Sequence, residues 1–323
     1  MDTSIRKCNG FGYYGSVIND CFIDGAQGSP SKNFGELAAE DKEIWESFAK
    51  QYGLNVVEFY NNEGTQIKLS QLQTYIIMIL QEKYNKQIEN NYDPHKKNWM
   101  KNGNVSDADD LGLIHITAAS IAKDIYGNTG SENVKKVRNA IFNLKSNSGY
   151  LYYYKRIHET NKLVLRIEYC SLIVSYGIDT SDNRIKNFNW VRLHPIFFSA
   201  LSMRYIRCRY FTARMSEFFD YKLPPFPAMT LFRYLIKFGN APNNEFQIYS
   251  YKLMNIVCHS KFKKREISNC RIIIHTACEA CKYIGVIKNY NENIVGENGD
   301  MKYLFNINPA FFRKETNKKN NEE

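Results

Sequence analysis

The residues of this chain whose types and spacing could do chemistry are few, and each set lacks a partner it would need. "HTACEAC" places His275, Cys278 and Cys281 at intervals of three, with Cys258, His259 and Cys270 upstream. Imidazole and thiolate at such intervals suit Zn2+, but no second Cys-x-x-Cys pair exists to complete a site. Small cysteines packing the inner side of a helix are the expected role. "GFGYYG" (10–15) matches Gly-x-Gly-x-x-Gly, yet no strand pattern precedes it and no helix pattern follows. No Gly-x-x-x-x-Gly-Lys-Ser/Thr occurs, which excludes a P-loop ATPase at the level of its motif. "SDADD" (106–110) gathers carboxylates, expected in a solvated loop. Metal-assisted DNA nicking needs two histidines flanking one residue, and the six here (95, 115, 158, 194, 259, 275) never stand so. His115 and His194, among apolar neighbours, are expected to be packed or capping. The expectation is a chain that is not an enzyme, with no cofactor and no metal.

What remains is positive charge, and it is unevenly placed. Residues 1–110 hold 11 Lys and Arg against 16 Asp and Glu, a balance of −5. Residues 111–200 hold 12 against 6 (+6), and 201–323 hold 20 against 11 (+9). A basic last two thirds behind an acidic first third suggests a polyanion as partner, because Lys and Arg neutralising phosphates dominate nucleic-acid affinity. A hydrophobic content of 44% is ample for packed cores. The longest aliphatic run, "YIIMIL" (75–80), is too short to cross a bilayer. No export signal is read at the start of the chain, so a cytoplasmic location and reduced thiols are expected for the eight cysteines.

The elements that would hold that charge come in a repeated order. Residues 1–35 read as loop or arm, and 36–52 and 68–88 as helices, before a polar linker at 89–110. "HITAASIAKDIYG" (115–127) suits a short helix stopped at Gly127. Thr129 and Glu132 have capping-box spacing ahead of a helix whose Val134, Val137, Ile141 and Leu144 make one apolar stripe. "YLYYYKRI" and "KLVLRIEY" alternate like half-buried strands joined by "HETN". The order then recurs: a helix at 223–239 opened by prolines and closed by Gly239, a second at 249–257, and a third at 266–284. Two strands follow, joined through Asn298-Gly299. Three helices and a hairpin, twice, predict an α+β protein of two tandem winged-helix domains, each a helix-turn-helix with a β wing, behind an N-terminal extension. The expected divisions are 1–65 (acidic extension), 66–185, 186–312 and a disordered polar tail at 313–323.

In such a unit the third helix turns its stripe inward and its basic and amide side chains toward DNA. In the first unit these are Lys135, Lys136, Arg138, Asn139 and Asn143, with Lys155 and Arg156 before the wing turn. In the second they are Lys263, Lys264 and Arg265 ahead of the helix, then Asn269, Arg271, Lys282 and Lys288. Arg and Asn suit bidentate contact to guanine and adenine, and Lys serves as a phosphate charge.

Two stretches resemble a known family. "GSENVKKVRNAIFNLKSNSGYLYYY" resembles the recognition-helix segment of plasmid replication initiators, the Rep family with tandem winged helices. "WVRLHPIFFSAL" (190–201) is similar to the segment that opens the second winged helix there. The resemblance spans about residues 68–312, and the first 60 residues lie outside it. It implies double-stranded DNA as partner, bound at repeated origin sequences, with opening of an AT-rich stretch and recruitment of host replication proteins. It also implies a balance between monomer and homodimer. A winged-helix transcriptional regulator, or a partition or protein-interaction adaptor, is the alternative for the same elements.

Overall fold

Helix α1 (Gln71–Asn90) starts where Ser70 and Gln73 cap each other. The Ser70 amide donates to Gln73 Oε1 at 2.8 Å, and the Gln73 amide to Ser70 Oγ at 3.2 Å. This satisfies two of the donors that a helix start leaves open. Every side chain from Gln73 to Glu82 is buried. The sequence predicts a one-faced amphipathic helix; the protein instead buries α1 all round, as befits a helix inside the molecule. In the computed structural model the described residues are 58–60, 69–90, 113–156, 163–178, 188–194, 211–236, 242–258, 267–295 and 301–312.

Burying Gln73, Thr74, Gln81 and Glu82 requires polar partners. Helix α4 (Phe211–Phe218) supplies those of Glu82. The Thr212 amide and hydroxyl donate to Glu82 Oε2 at 2.9 and 2.8 Å. Tyr75 donates its hydroxyl to the Thr212 carbonyl and lies 3.1 Å from Ser216 Oγ. Beyond α4, the Pro224 carbonyl accepts from Gln71 Nε2 at 2.7 Å.

On one side of this junction stand β2 (Leu113–His115), α2 (Ala118–Tyr126), α3 (Ser131–Ser146) and the hairpin β3 (Ser148–Arg156)/β4 (Leu163–Ser171). After β5 (Ile173–Gly177) and β6 (Trp190–Leu193), the other side carries α5 (Phe226–Leu235), β7 (Glu245–Tyr249), α6 (Ser250–Cys258), α7 (Ile267–Ile284) and the hairpin β8 (Ile287–Val295)/β9 (Met301–Ile307). A short α8 (Pro309–Phe312) follows. Both sides therefore run helix, strand, helix, helix, hairpin, in a mixed helix-and-sheet protein. The buried stripe of α3, Val137, Ala140, Ile141 and Leu144, recurs as Ile274, Ala277, Cys278 and Cys281 of α7, each 137 positions later. The sheets are antiparallel, ordered β1-β3-β4 with β1 (Glu58–Tyr60), β2-β6-β5, and β7-β9-β8.

Four helices link the two sides in a packed series: α3 on α1, α1 on α4, and α4 on α7. Gly127 tightens the same junction. It ends α2 in the left-handed region (φ 69°), and Tyr221 packs where its Cβ would lie, 2.9 Å away. Two sets of strand pairings run across the expected divisions. Glu58–Tyr60, inside the expected 1–65 extension, pairs with β3, and β6, beyond the expected edge at 185, pairs with β2 and β5. Three-residue strands such as β1 and β2 carry too little alternation to be read, and their partners are far away in sequence. The helix at 36–52 and the tail at 313–323 lie outside the described residues.

Burial pushes the Glu82 carboxyl above the usual carboxylate range, against the two Thr212 hydrogen bonds and Lys83, which favour its charged form. Because the folded-state value lies above the unfolded one, the stability it contributes is fully present below the ordinary carboxylate value. It is lost as pH rises through the raised folded value. Glu82→Gln, which keeps an acceptor for Thr212, is expected to flatten that part of the stability–pH curve in urea melts. Glu82→Ala strands the Thr212 amide and should cost about 1–3 kcal/mol. A wild-type curve already flat over that range would contradict the assignment.

Candidate nucleic-acid interface

The α3 helix is started by a residue that the capping-box spacing passes over. Asn128 Oδ1 accepts from the Gly130 amide at 3.0 Å and from Asn133 Nδ2 at 2.9 Å. Gly130 is the N-cap and has no side-chain cap bond, so the Thr129–Glu132 box is not formed. An Asn turning back on the backbone two residues on does the same work. From there the stripe Val137, Ala140, Ile141 and Leu144 faces the core. At 3.6 residues per turn, Lys135 and Asn139 fall about opposite that stripe, with Arg138 on one flank and Lys136 and Asn143 on the other. All five are exposed. In its first turn α3 carries one acidic residue, Glu132. One helix thus presents a surface of cations and amides that can donate to phosphates and base edges.

Lys155 and Arg156 are the last two residues of β3, paired in register with Val164 and Leu163. At about 3.3 Å per residue, Lys155 stands roughly 23 Å along the hairpin from Ser148, where the strand leaves α3. The two residues thus stand at the end of the hairpin away from α3.

In the second unit, Lys263, Lys264 and Arg265 lie outside the described residues. Asn269 and Arg271 are exposed at the start of α7. Arg271 Nε is 3.6 Å from Glu292 Oε1, a carboxylate that also receives the Tyr303 hydroxyl at 2.7 Å. Arg271 therefore already has an anion of its own protein beside it. Lys282 is exposed 13 positions beyond Asn269, roughly 20 Å along the helix. Lys288 is exposed on β8, next to that far end. The second set is thus two groups, Asn269 with Arg271 and Lys282 with Lys288.

"HTACEAC" is divided by its helix. Cys278 and Cys281 are buried in the inner stripe, and burial pushes both thiols up. His275 is exposed, its Nδ1 2.6 Å from Tyr290 Oη, and the Tyr290 hydroxyl donates to Glu279 Oε1 at 3.0 Å. Desolvation first, then the Glu279 hydrogen bond, push the Tyr290 hydroxyl up. Cys258 is buried, with its Sγ 3.8 Å from the Cys270 carbonyl. Among the described residues no group of three or more His, Cys, Asp and Glu is placed to hold a metal ion. His194 is buried and its amide donates to the Leu172 carbonyl at 3.0 Å. His115 is not packed as its apolar neighbours suggest: it ends β2, opposite Trp190, and is exposed, because alternation along the strand turns Ile114 inward instead.

One basic cluster stands on neither third helix. Lys302 Nζ and Lys252 Nζ are 4.7 and 5.5 Å from the centre of the Tyr249 ring, which stacks with Tyr251 at 5.7 Å. Ammonium groups over an aromatic face are attracted by its quadrupole. "YSYK" (249–252) shows the interleaving of aromatic and basic residues, but the pairing of Tyr249 with Lys302 crosses 53 positions and needs the β7–β9 register.

No protein-family model matches the chain, and no curated protein matches it. Among solved structures, the chain is similar to a crystal structure of domains 2 and 3 of RctB. The TM-score is 0.43 and the identity 11%, over 90% of this chain and 98% of that one. No helix among the described residues is long and apolar enough to cross a membrane.

Thiol chemistry requires the thiolate, so a buried thiol with a raised pKa is inert. Alkylation of the native protein, mapped by mass spectrometry, is expected to modify the partly exposed Cys170 well before Cys258, Cys270, Cys278 and Cys281. Rapid labelling of Cys278 and Cys281 would contradict their placement.

Proposed function

We propose that this chain is a non-catalytic, sequence-specific binder of double-stranded DNA, built from two winged helices. The observation that carries the reading is α3: Lys135, Lys136, Arg138, Asn139 and Asn143 are all exposed on a helix whose other side is a buried apolar stripe. Beside that helix runs a long hairpin, and the same element order returns around α7. In this reading the third helix of each unit lies in a major groove and the hairpins hold the flanking backbone. Phosphate contacts set register, and Arg138 and Asn139 read base edges. Two units on one chain raise affinity through effective concentration. The resemblance of the α3–β3 segment to plasmid replication initiators points the reading to a plasmid or phage origin. Repeated sites would be bound there and the neighbouring duplex opened, with host replication proteins and a second copy of the chain as partners. A cytoplasmic location goes with that role.

The test is binding to direct repeats from the DNA flanking the protein's own gene, against scrambled duplexes, across a range of salt. Affinity for the repeats should be higher, and log K should fall with log salt by about 0.9 per phosphate contacted. Arg138→Ala with Asn139→Ala should remove the preference for the repeats, at about 1–3 kcal/mol for each bidentate pairing with a base that is abolished. Lys155→Ala with Arg156→Ala should weaken all duplexes alike. Equal affinity for repeats and scrambled DNA would overturn the initiator reading.

A further inference from the structure

Two side chains on the proposed groove faces have the wrong chemistry for phosphate. Ile272 and Phe142, 65% and 56% exposed, are the two most exposed large hydrophobic side chains among the described residues. One stands on each third helix. Ile272 is two residues from the fully buried Ile274, roughly 200° round the helix from it. Phe142 stands one turn beyond Arg138 and three residues beyond Asn139, opposite the α3 stripe. A single exposed apolar residue needs no explanation. Two, one on the outer side of each third helix, call for one. Helix formation supplies none, since Ile and Phe are poorer helix formers than the Lys or Gln that usually fill solvent faces. Core packing supplies none either, because both point away from the stripes.

The major groove offers one apolar group among its donors and acceptors, the C5-methyl of thymine. We propose that Phe142 and Ile272 each pack against a thymine C5-methyl, so that each helix requires a T at one position of its site. The proposal rests on the duplex-DNA reading above. It also accounts for the sparse charge of the first half of α7. There Arg271 lies beside Glu292, and the Thr276 hydroxyl donates back to the Ile272 carbonyl at 3.0 Å. Besides Arg271 and His275, what this part of α7 exposes to a ligand is the side chains of Ile272 and Thr276, with Asn269 beside them.

The experiment uses the full chain and the duplex it prefers, selected from a random pool, with binding followed by fluorescence anisotropy. Replacing dT by dU removes the methyl and nothing else. Affinity is expected to fall about three- to fivefold for each contacted methyl, the free energy of burying about one CH2 or CH3 group. In Phe142→Ala and Ile272→Ala each, part of that loss should disappear, and in the double variant all of it, with thermal melting unchanged. 5-Methylcytosine carries the same methyl, so methylating the cytosines of the site tests the source. No gain is expected if thymine is the base read, whereas a gain there without a loss on dU would overturn the assignment. Equal affinity for dT and dU duplexes would overturn the methyl contact while leaving duplex binding standing. The same dU penalty in wild type and double variant would place the contact elsewhere and also overturn it. Binding to no duplex at low salt would defeat the underlying reading itself.

Discussion

A buried carboxylate between α1 and α4 is the interaction on which the arrangement of this molecule depends. Glu82 has left water, and its compensation is the amide and hydroxyl of a single residue, Thr212, with Lys83 nearby. A buried acceptor of this kind tolerates little displacement, because losing either donor leaves a desolvated polar group without its partner. Tyr75 reinforces the same spot through the Thr212 carbonyl and Ser216. The junction is therefore specific in geometry, unlike the aliphatic packing around it. Since α3 packs on α1 and α7 on α4, that geometry is passed directly to both third helices. In the duplex-binding reading, two reading helices on one chain are useful only if their separation is set, and this junction would set it.

The two helices repeat one packing solution with different surfaces. Their inner stripes match position for position at an offset of 137, with Ala140 matched by Ala277 and Val137 by Ile274. Outward, α3 carries cations and amides, whereas α7 carries Ile272, His275 and Thr276, with Arg271 beside Glu292. In the duplex-binding reading this is a division of labour: α3 supplies charge and polar base contacts, and α7 a shorter and more apolar readout. The Tyr249, Lys252 and Lys302 cluster and the long β3–β4 hairpin would then hold backbone on either side.

Much of this was legible in the chain because it is local. The stripes of α3 and α7, the prolines before α5 and the hairpin β8/β9 follow from spacings of two, three and four. The start of α3 was legible in position but not in mechanism, since Gly130 is the N-cap and its amide is held by Asn128 in place of a Thr129–Glu132 box. What stayed hidden depends on residues far apart. Strand β6 joins β2 across 77 positions of chain, measured from Leu113 to Trp190, a pairing that crosses the expected edge at 185. The all-round burial of α1 depends on α4, whose inward residues Phe211, Thr212, Met215 and Ser216 give no hint in sequence of the partner they pack on. The pairing of Arg271 with Glu292 likewise needs the β8 strand beside α7, which no spacing reveals.

The central claim is that both third helices occupy major grooves of one duplex at a separation held by the α1–α4 junction. Hydroxyl-radical footprinting of the full chain on its preferred duplex measures that most directly. The expected pattern is two protected patches on one face of the DNA, about 10–10.5 base pairs apart or a multiple of it, as two rigidly linked reading helices require. A single patch, or two patches on opposite faces, would contradict the account.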